Sequence, residues 1–257
     1  STIGSTGVHL RAKSVADVQL NREGTGYVIA LPIPGIVTQV QTNMGATINI
    51  DWILEVAAYL MAEAGKPASH ADLIARIDGW FAESRPGAVL YRPYISEAGE
   101  RGPFVNANAR AGFTGLSMRH GFPDLLRSVV EGLGLATRDC YAAMGTMPEE
   151  LRLTGGATRS LALRRSLSAA VNAPIRQSRR EETGAAGVAM MAAVAVGVYS
   201  SMDDCIADWV TPLLGDPETP DANEAHRFDR LFSAYTDVRQ AMAPAWDKLA
   251  EAATTSP

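Results

Sequence analysis

Leu151-Arg152-Leu153-Thr154-Gly155-Gly156-Ala157-Thr158-Arg159-Ser160 is the stretch on which the fold turns. Leu151 to Leu153 alternates apolar and polar like a short strand, paired glycines end it, and Ser160 places a capping hydroxyl where a helix can start. The helix is expected over Ser160 to Ala170. Pro174-Ile175 then gives another short strand, and the apolar run that follows predicts a buried helix from Glu182 to Tyr199. This β-turn-α-β-α rhythm is that of a layered α/β domain. The strand-to-helix junction can bring backbone against a flat base or ribose and offer helix N–H groups to phosphate, or it can be a tight turn and nothing more. It has neither the third glycine of a dinucleotide fingerprint nor the Gly-Lys-Ser/Thr of a P-loop.

Upstream, residues 1–42 carry short β-rich runs broken by glycine and proline: Val8 to Leu10, Tyr27 to Leu31 and Ile36 to Gln41. Three neighbouring strands are expected there. Apolar residues recur at helical spacing from Ala46 to Ala62, and a second helix is predicted from the N-cap Ser69 to about Glu83. Leu90 to Ile95 reads as extended, and Ser96 to Gly115, rich in Gly and Asn, as an ordered loop with no element of its own. A long helix after Pro123 should reach Met144, with Leu126, Val129, Val130, Leu133 and Leu135 on its core face. Beyond Pro212, Pro217 and Pro220, a helix from about Asn223 to Ala252 reads as a peripheral C-terminal addition. The expected organisation is one domain over 1–210 with a helical extension over 211–257.

Nearly half of the 257 residues are apolar, 47%, enough to bury a substantial core. The formal net charge of -5 and a pI near 5.4 argue against a nucleic-acid partner, which needs clustered Lys and Arg. Cys140 and Cys205 have no metal-type spacing and do not suggest a disulfide framework, so a cytoplasmic setting is expected. The most apolar run, Ala185 to Tyr199, is shorter than the ~18 to 20 residues that span a bilayer, and no membrane partner is expected. The chain begins without Met, inside a strand-turn-strand pattern, and reads as a fragment or a processed product.

The hydroxyl-bearing turn Gly4-Ser5-Thr6-Gly7 would let backbone N–H groups and hydroxyls approach a phosphate, although the same tetrapeptide also makes a plain hairpin turn. Asn43-Met44-Gly45-Ala46-Thr47 opens the first helix, with Asn49 one turn along, and locally reads as a loop before a cap. Glu100 and Arg101 read as an internal ion pair. His9, His70, His120 and His226 are scattered and no Cys-x-x-Cys occurs, so no protein-bound transition metal is expected. No Gly-x-Ser-x-Gly elbow supports acyl transfer. Arg176, Arg179 and Arg180 beside Glu181 and Glu182 read as a solvated helix entry rather than a phosphate clamp.

Taken in order, these signals resemble the C-terminal half of the FGGY carbohydrate kinases, members of the actin-like ATPase superfamily. Gly112-Phe113-Thr114-Gly115-Leu116, then His120, Leu125-Leu126-Arg127 and Glu131-Gly132, resembles the family's second signature. Pro93 to Ser96 leading into Gly99-Glu100-Arg101-Gly102-Pro103 resembles its proline and Gly-Glu-Arg loop. Leu153 to Ser160 resembles its adenosine-binding turn, and Glu182 to Ala186 the helix start after it. The likeness covers about residues 1–210. Within the family, Gly4 to His9 and Glu97 to Phe104 are most similar to members acting on erythritol, with xylulose and glycerol phosphorylation as alternatives.

The resemblance implies an actin-like, ribonuclease H-type α/β domain, a mixed sheet flanked by helices forming one wall of an interdomain ATP cleft. It implies that Ser5 and Thr6, with Gly4, touch the outer phosphates, that Gly45 and Asn49 line the nucleotide cleft, and that Gly155, Gly156, Ala157 and Ser160 hold the adenosine. Val8 and His9 would reach the sugar site. MgATP would be the phosphoryl donor, a small polyol or sugar the acceptor, and the N-terminal half of the same kinase the partner; a homodimer stays open. The family's general-base aspartate falls before Ser1, so this chain by itself is expected to be inactive. A non-catalytic actin-like binding module is the alternative.

Overall fold

The computed structural model describes residues 1–254, with the side chains of Ala157, Thr158 and Thr254 outside the described set. Its elements in chain order are β1 (Thr2–Ile3), β2 (Gly7–Ser14), β3 (Tyr27–Ala30), β4 (Ile36–Asn43), α1 (Ile48–Glu63), α2 (His70–Glu83), β5 (Leu90–Arg92), β6 (Gly112–Thr114) and α3 (Phe122–Ala143). They continue as β7 (Leu151–Leu153), α4 (Leu161–Val171), β8 (Ile175–Gln177), α5 (Thr183–Ala195), α6 (Met202–Trp209) and α7 (Ala222–Thr254). The three strands expected near the start are present, and Thr2–Ile3 adds a fourth; all four pair antiparallel in the order β1-β2-β4-β3.

A small joint turns this antiparallel sheet into a mixed one. Thr2 bridges Thr154 in parallel, Ile3 donates its N–H to the Thr154 carbonyl at 3.0 Å, and Thr154 donates to the Ser1 carbonyl at 3.0 Å. β8 lies parallel to β7. The resulting order is β3-β4-β2-β1-β7-β8, and β1, β7 and β8 run the same way.

The main core lies where the helices cover this joint. Ile3, Leu151, Leu153 and Ile175 from the strands pack with Ile53 and Leu54 of α1, Leu126, Val129 and Val130 of α3, and Leu163 and Leu167 of α4. α3 is buried on nearly every side, so its core face is wider than the expected stripe. The predicted cap at Ser69 is present as a capping box: the Ser69 hydroxyl accepts from the Asp72 N–H at 3.2 Å, and Asp72 accepts from the Ser69 N–H at 3.0 Å.

Three expectations are corrected. The 96–115 loop contains an element after all, because Gly112–Thr114 pairs antiparallel with β5, Tyr91 opposite Phe113; three residues are too few to show a period. The C-terminal helix is integral rather than peripheral. Phe228, Tyr235 and Trp246 of α7 are fully buried in a second core with Tyr94, Phe104 and Leu135, and the Tyr94 and Tyr235 hydroxyls meet at 2.7 Å. Finally, α5 is not a buried helix. Met190 is its one buried residue, whereas Val188 is 63% and Met191 43% exposed. Apolar composition shows that a helix favours burial, not that a neighbour is there to cover it.

Candidate functional site

Because β1, β7 and β8 are parallel, their carboxyl ends share one edge, and the chain leaves that edge through three turns. Gly4 to Thr6 follows β1, Gly155-Gly156 follows β7, and Ser178 to Arg180 follows β8. In open α/β sheets the crevice outside the carboxyl ends of parallel strands is the usual ligand position.

The first turn is fastened to the start of α1. The Ser5 carbonyl accepts from the Ala46 N–H at 2.8 Å, and the Gly4 carbonyl accepts from the Thr47 N–H at 3.0 Å and the Thr47 hydroxyl at 2.9 Å. Carbonyls are thereby turned inward, while Ser5 and Thr6 are exposed with hydroxyls available to a ligand. Gly45 is buried beneath this contact, where an added Cβ would come within 3.2 Å of both the Asn49 amide and Ile95. Asn49 is fully buried and its amide is committed: Nδ2 donates to the Ala46 carbonyl at 3.0 Å, and Oδ1 accepts from the Tyr91 hydroxyl at 2.9 Å. Gly45 and Asn49 therefore brace the wall from behind rather than face the cleft.

At the second turn Gly155 has φ +94° and presses on the β1 backbone, whereas among the described residues nothing lies within 4 Å of a Cβ built on Gly156. Gly155 joins the sheet; Gly156 faces open space. The Ser160 hydroxyl accepts from the Leu163 N–H at 3.3 Å as the N-cap of α4. Ala157 contributes backbone to the intervening 3-10 turn, and its side chain lies outside the described residues. A cavity of about 550 Å³ opens between the turns, lined by Thr2, Thr154, Gly155, Gly156 and Arg159 on one side and by Ser178, Arg179, Arg180, Glu181 and Thr183 on the other. Arg179 and Arg180, expected at a solvated helix entry, therefore border the same space as the diglycine turn. Their place just past a strand end was the signal that could have found them.

Val8 is half-buried on β2, and His9 is closed off completely. The Asn43 Oδ1 can only accept, so His9 Nε2 carries the proton toward it at 2.9 Å, and Nδ1 accepts from the Ser1 hydroxyl at 2.9 Å. Burial above all lowers the His9 pKa to about 3 and keeps the ring neutral. Neither ring nitrogen is free for a polyol.

Among the described residues the Glu100 carboxylate makes no ion pair with the Arg101 guanidinium. Glu100 is 1% exposed, and its Oε1 accepts from the Met44 N–H at 3.0 Å and the Arg101 N–H at 2.9 Å, tying the Gly-Glu-Arg loop to the strand that feeds α1. Burial raises its pKa to about 7 against the pull of these backbone donors. A carboxyl whose folded pKa lies above its unfolded value retains a proton that the unfolded chain releases. This group therefore costs stability as pH rises from about 4.5 to about 7 and costs nothing below that window. Glu100→Gln cannot ionise and keeps an acceptor oxygen. Relative to the parent, the variant should gain on the order of 3 kcal/mol between pH 4.5 and 7.5, on top of a pH-independent offset. Urea unfolding at a series of pH values would measure the difference; parallel stability curves would mean that Glu100 is ionised in the fold throughout.

A larger cavity, about 970 Å³, lies between α2, α4 and the start of α7, away from the three turns. Its charges answer one another, as in Arg164 with Glu218 at 3.0 Å, so volume alone does not make it the better site. Among the described residues no group of three or more His, Cys, Asp or Glu side chains is gathered to hold a metal, and no helix is long and apolar enough to cross a membrane.

Against known proteins, the profile of the FGGY family of carbohydrate kinases, C-terminal domain, matches residues 2–196. The chain is 75% identical over 250 residues to an erythritol kinase of Brucella abortus (strain 2308), an alignment covering 97% of this chain and 48% of that protein. It thus spans about half the length of that relative. Among solved structures, a ligand-bound xylulose kinase from Lactobacillus acidophilus superposes with a TM-score of 0.82 at 20% identity, over 96% of this chain and 48% of the other. The gluconate kinase from Lactobacillus acidophilus superposes with a TM-score of 0.81, also at 20% identity and with the same coverage.

Proposed function

The chain belongs to the FGGY family of carbohydrate kinases and has the actin-like α/β fold of its structural relatives, and on that premise we propose that it forms the ATP-binding wall of an erythritol kinase. The observation that carries this reading is the shared carboxyl edge, where the hydroxyl turn after β1 and the diglycine turn after β7 stand side by side. A phosphate chain would run along Gly4 to Thr6, and an adenosine would lie on Gly155-Gly156. Erythritol is favoured over xylulose or glycerol by the 75% identity to a protein named for it.

In this reading the chain contributes positioning. The exposed hydroxyls of Ser5 and Thr6 donate to phosphate oxygens, and Gly4, with its carbonyl pinned to Thr47, fixes the angle at which they do so. Phosphoryl transfer depends chiefly on such positioning and on charge neutralisation. Mg²⁺ keeps several waters and binds through few carboxylates plus substrate phosphates, so hydroxyls without a carboxylate cluster fit a metal carried on the nucleotide. The ion would neutralise charge developing on the phosphates. The proton acceptor for the polyol hydroxyl would come from the other half of the kinase, which would also close the cleft and supply most of the polyol pocket. A cytoplasmic location fits an enzyme that draws on MgATP.

The test is a coupled assay of the complete reading frame over erythritol, glycerol and xylulose with MgATP. Erythritol should show the highest kcat/KM, because hydroxyl and γ-phosphate must be held at near-attack distance and the wrong chain length misplaces one of them. A preference for xylulose or glycerol would overturn the substrate, and no turnover of any polyol or sugar would overturn the kinase reading.

A further inference from the structure

We propose that Arg180, seconded by Arg179, selects the nucleobase, and that the site takes guanine and hypoxanthine nucleotides alongside adenine; this rests on the reading of the diglycine turn as the nucleotide site. Neighbouring strands lie about 4.8 Å apart, so the end of β8 stands roughly 10 Å from the hydroxyl turn after β1, with β7 between them. If the outer phosphates sit at β1 and the nucleoside at β7, the residues past β8 border the base. Those residues are cationic. Both guanidinium groups bond to main chain beside the cavity: Arg180 Nη2 donates to the Trp209 carbonyl at 2.7 Å with Cζ 5.8 Å from the Trp209 ring centre, and Arg179 Nη2 donates to the Pro212 carbonyl at 2.7 Å. Among the described residues neither is paired with a carboxylate, and both line the cavity with Gly155 and Gly156.

A guanidinium carries five N–H donors and no acceptor, so one bond to a carbonyl leaves the rest of the fork for a ligand. Guanine and hypoxanthine present two acceptors side by side, O6 and N7, and take such a fork through two bonds. Adenine has a donor amino group where O6 would be and takes one bond; Glu181, on the same cavity, supplies the acceptor that keeps adenine welcome. The selectivity of the site therefore lies in a ratio between bases.

The experiment is calorimetry of MgADP, MgGDP and MgIDP on the complete reading frame, its Arg180→Met variant and its Arg180→Lys variant, with melting curves confirming the fold. The parent should bind GDP and IDP within about tenfold of ADP, and Arg180→Met should weaken GDP and IDP by at least about fivefold more than it weakens ADP. Arg180→Lys keeps the charge and loses the fork, and should shift the ratio as Arg180→Met does. A parent that binds ADP without GDP or IDP, or variants that weaken all three equally, would overturn the proposal and leave the nucleotide site standing. A parent that binds none of the three would sink the nucleotide reading and the proposal with it.

Discussion

Gly156→Val in the complete protein should melt at the parental temperature and lose at least about a hundredfold in ATP affinity, with turnover falling accordingly. Among the described residues a Cβ at this position meets nothing within 4 Å, and the residue shows no left-handed φ, so the fold has room for a branched side chain. That room is the cavity itself. Two methyl groups placed there occupy the volume an adenosine needs, and the flat face of the turn is lost. Calorimetry with MgATP alongside a melting curve reads both quantities. Unchanged ATP binding in a folded variant would make the turn structural and remove the adenosine from it.

The neighbouring residue should give the opposite pattern. Gly155→Val is expected to cost about 3–5 kcal/mol of stability, combining a side chain forced into positive φ with overpacking against main chain. Gly155 has φ +94°, and its Cβ would lie 2.5 Å from the Ile3 carbonyl oxygen. Backbone cannot swing aside as a side chain can. The clash falls on the joint where Ile3 bonds to Thr154, so relief must part β1 from β7 and move the Gly4 to Thr6 turn away from the diglycine turn. Urea unfolding would show the loss, and nucleotide affinity would fall only as a consequence. A variant as stable as the parent would mean that β1 and β7 are held together by something other than this contact.

The contrast between two adjacent glycines was not legible in Leu153 to Ser160. The sequence shows that both positions accept unusual backbone, but whether a Cβ meets a neighbouring strand or empty space depends on residues some 150 positions away, at the start of the chain. Asn49 and His9 make the same point from the other side. The family resemblance implied a ligand for each, yet their side chains already bond to Tyr91, Ala46, Ser1 and Asn43. A motif records which residue types are present; it does not record which hydrogen bonds are already spent.

By itself the sequence determined the elements whose cause is local. The Ser69 cap and its helix, the strand-glycine-helix junction at Gly155 and the long apolar helix to Met144 follow from periodicity, capping and turn chemistry, all readable within a few residues. Only the tertiary structure decided what depends on partners distant in sequence. The pairing of Gly112–Thr114 with β5, the burial of Trp246 against Phe104, the exposed flank of α5 and the shared cavity of Arg180 and the diglycine turn are each set by which surfaces packing leaves covered or open. The physical reason is range: backbone preference acts over a turn or two, whereas burial and hydrogen-bond satisfaction are settled between segments that meet only once the chain has folded.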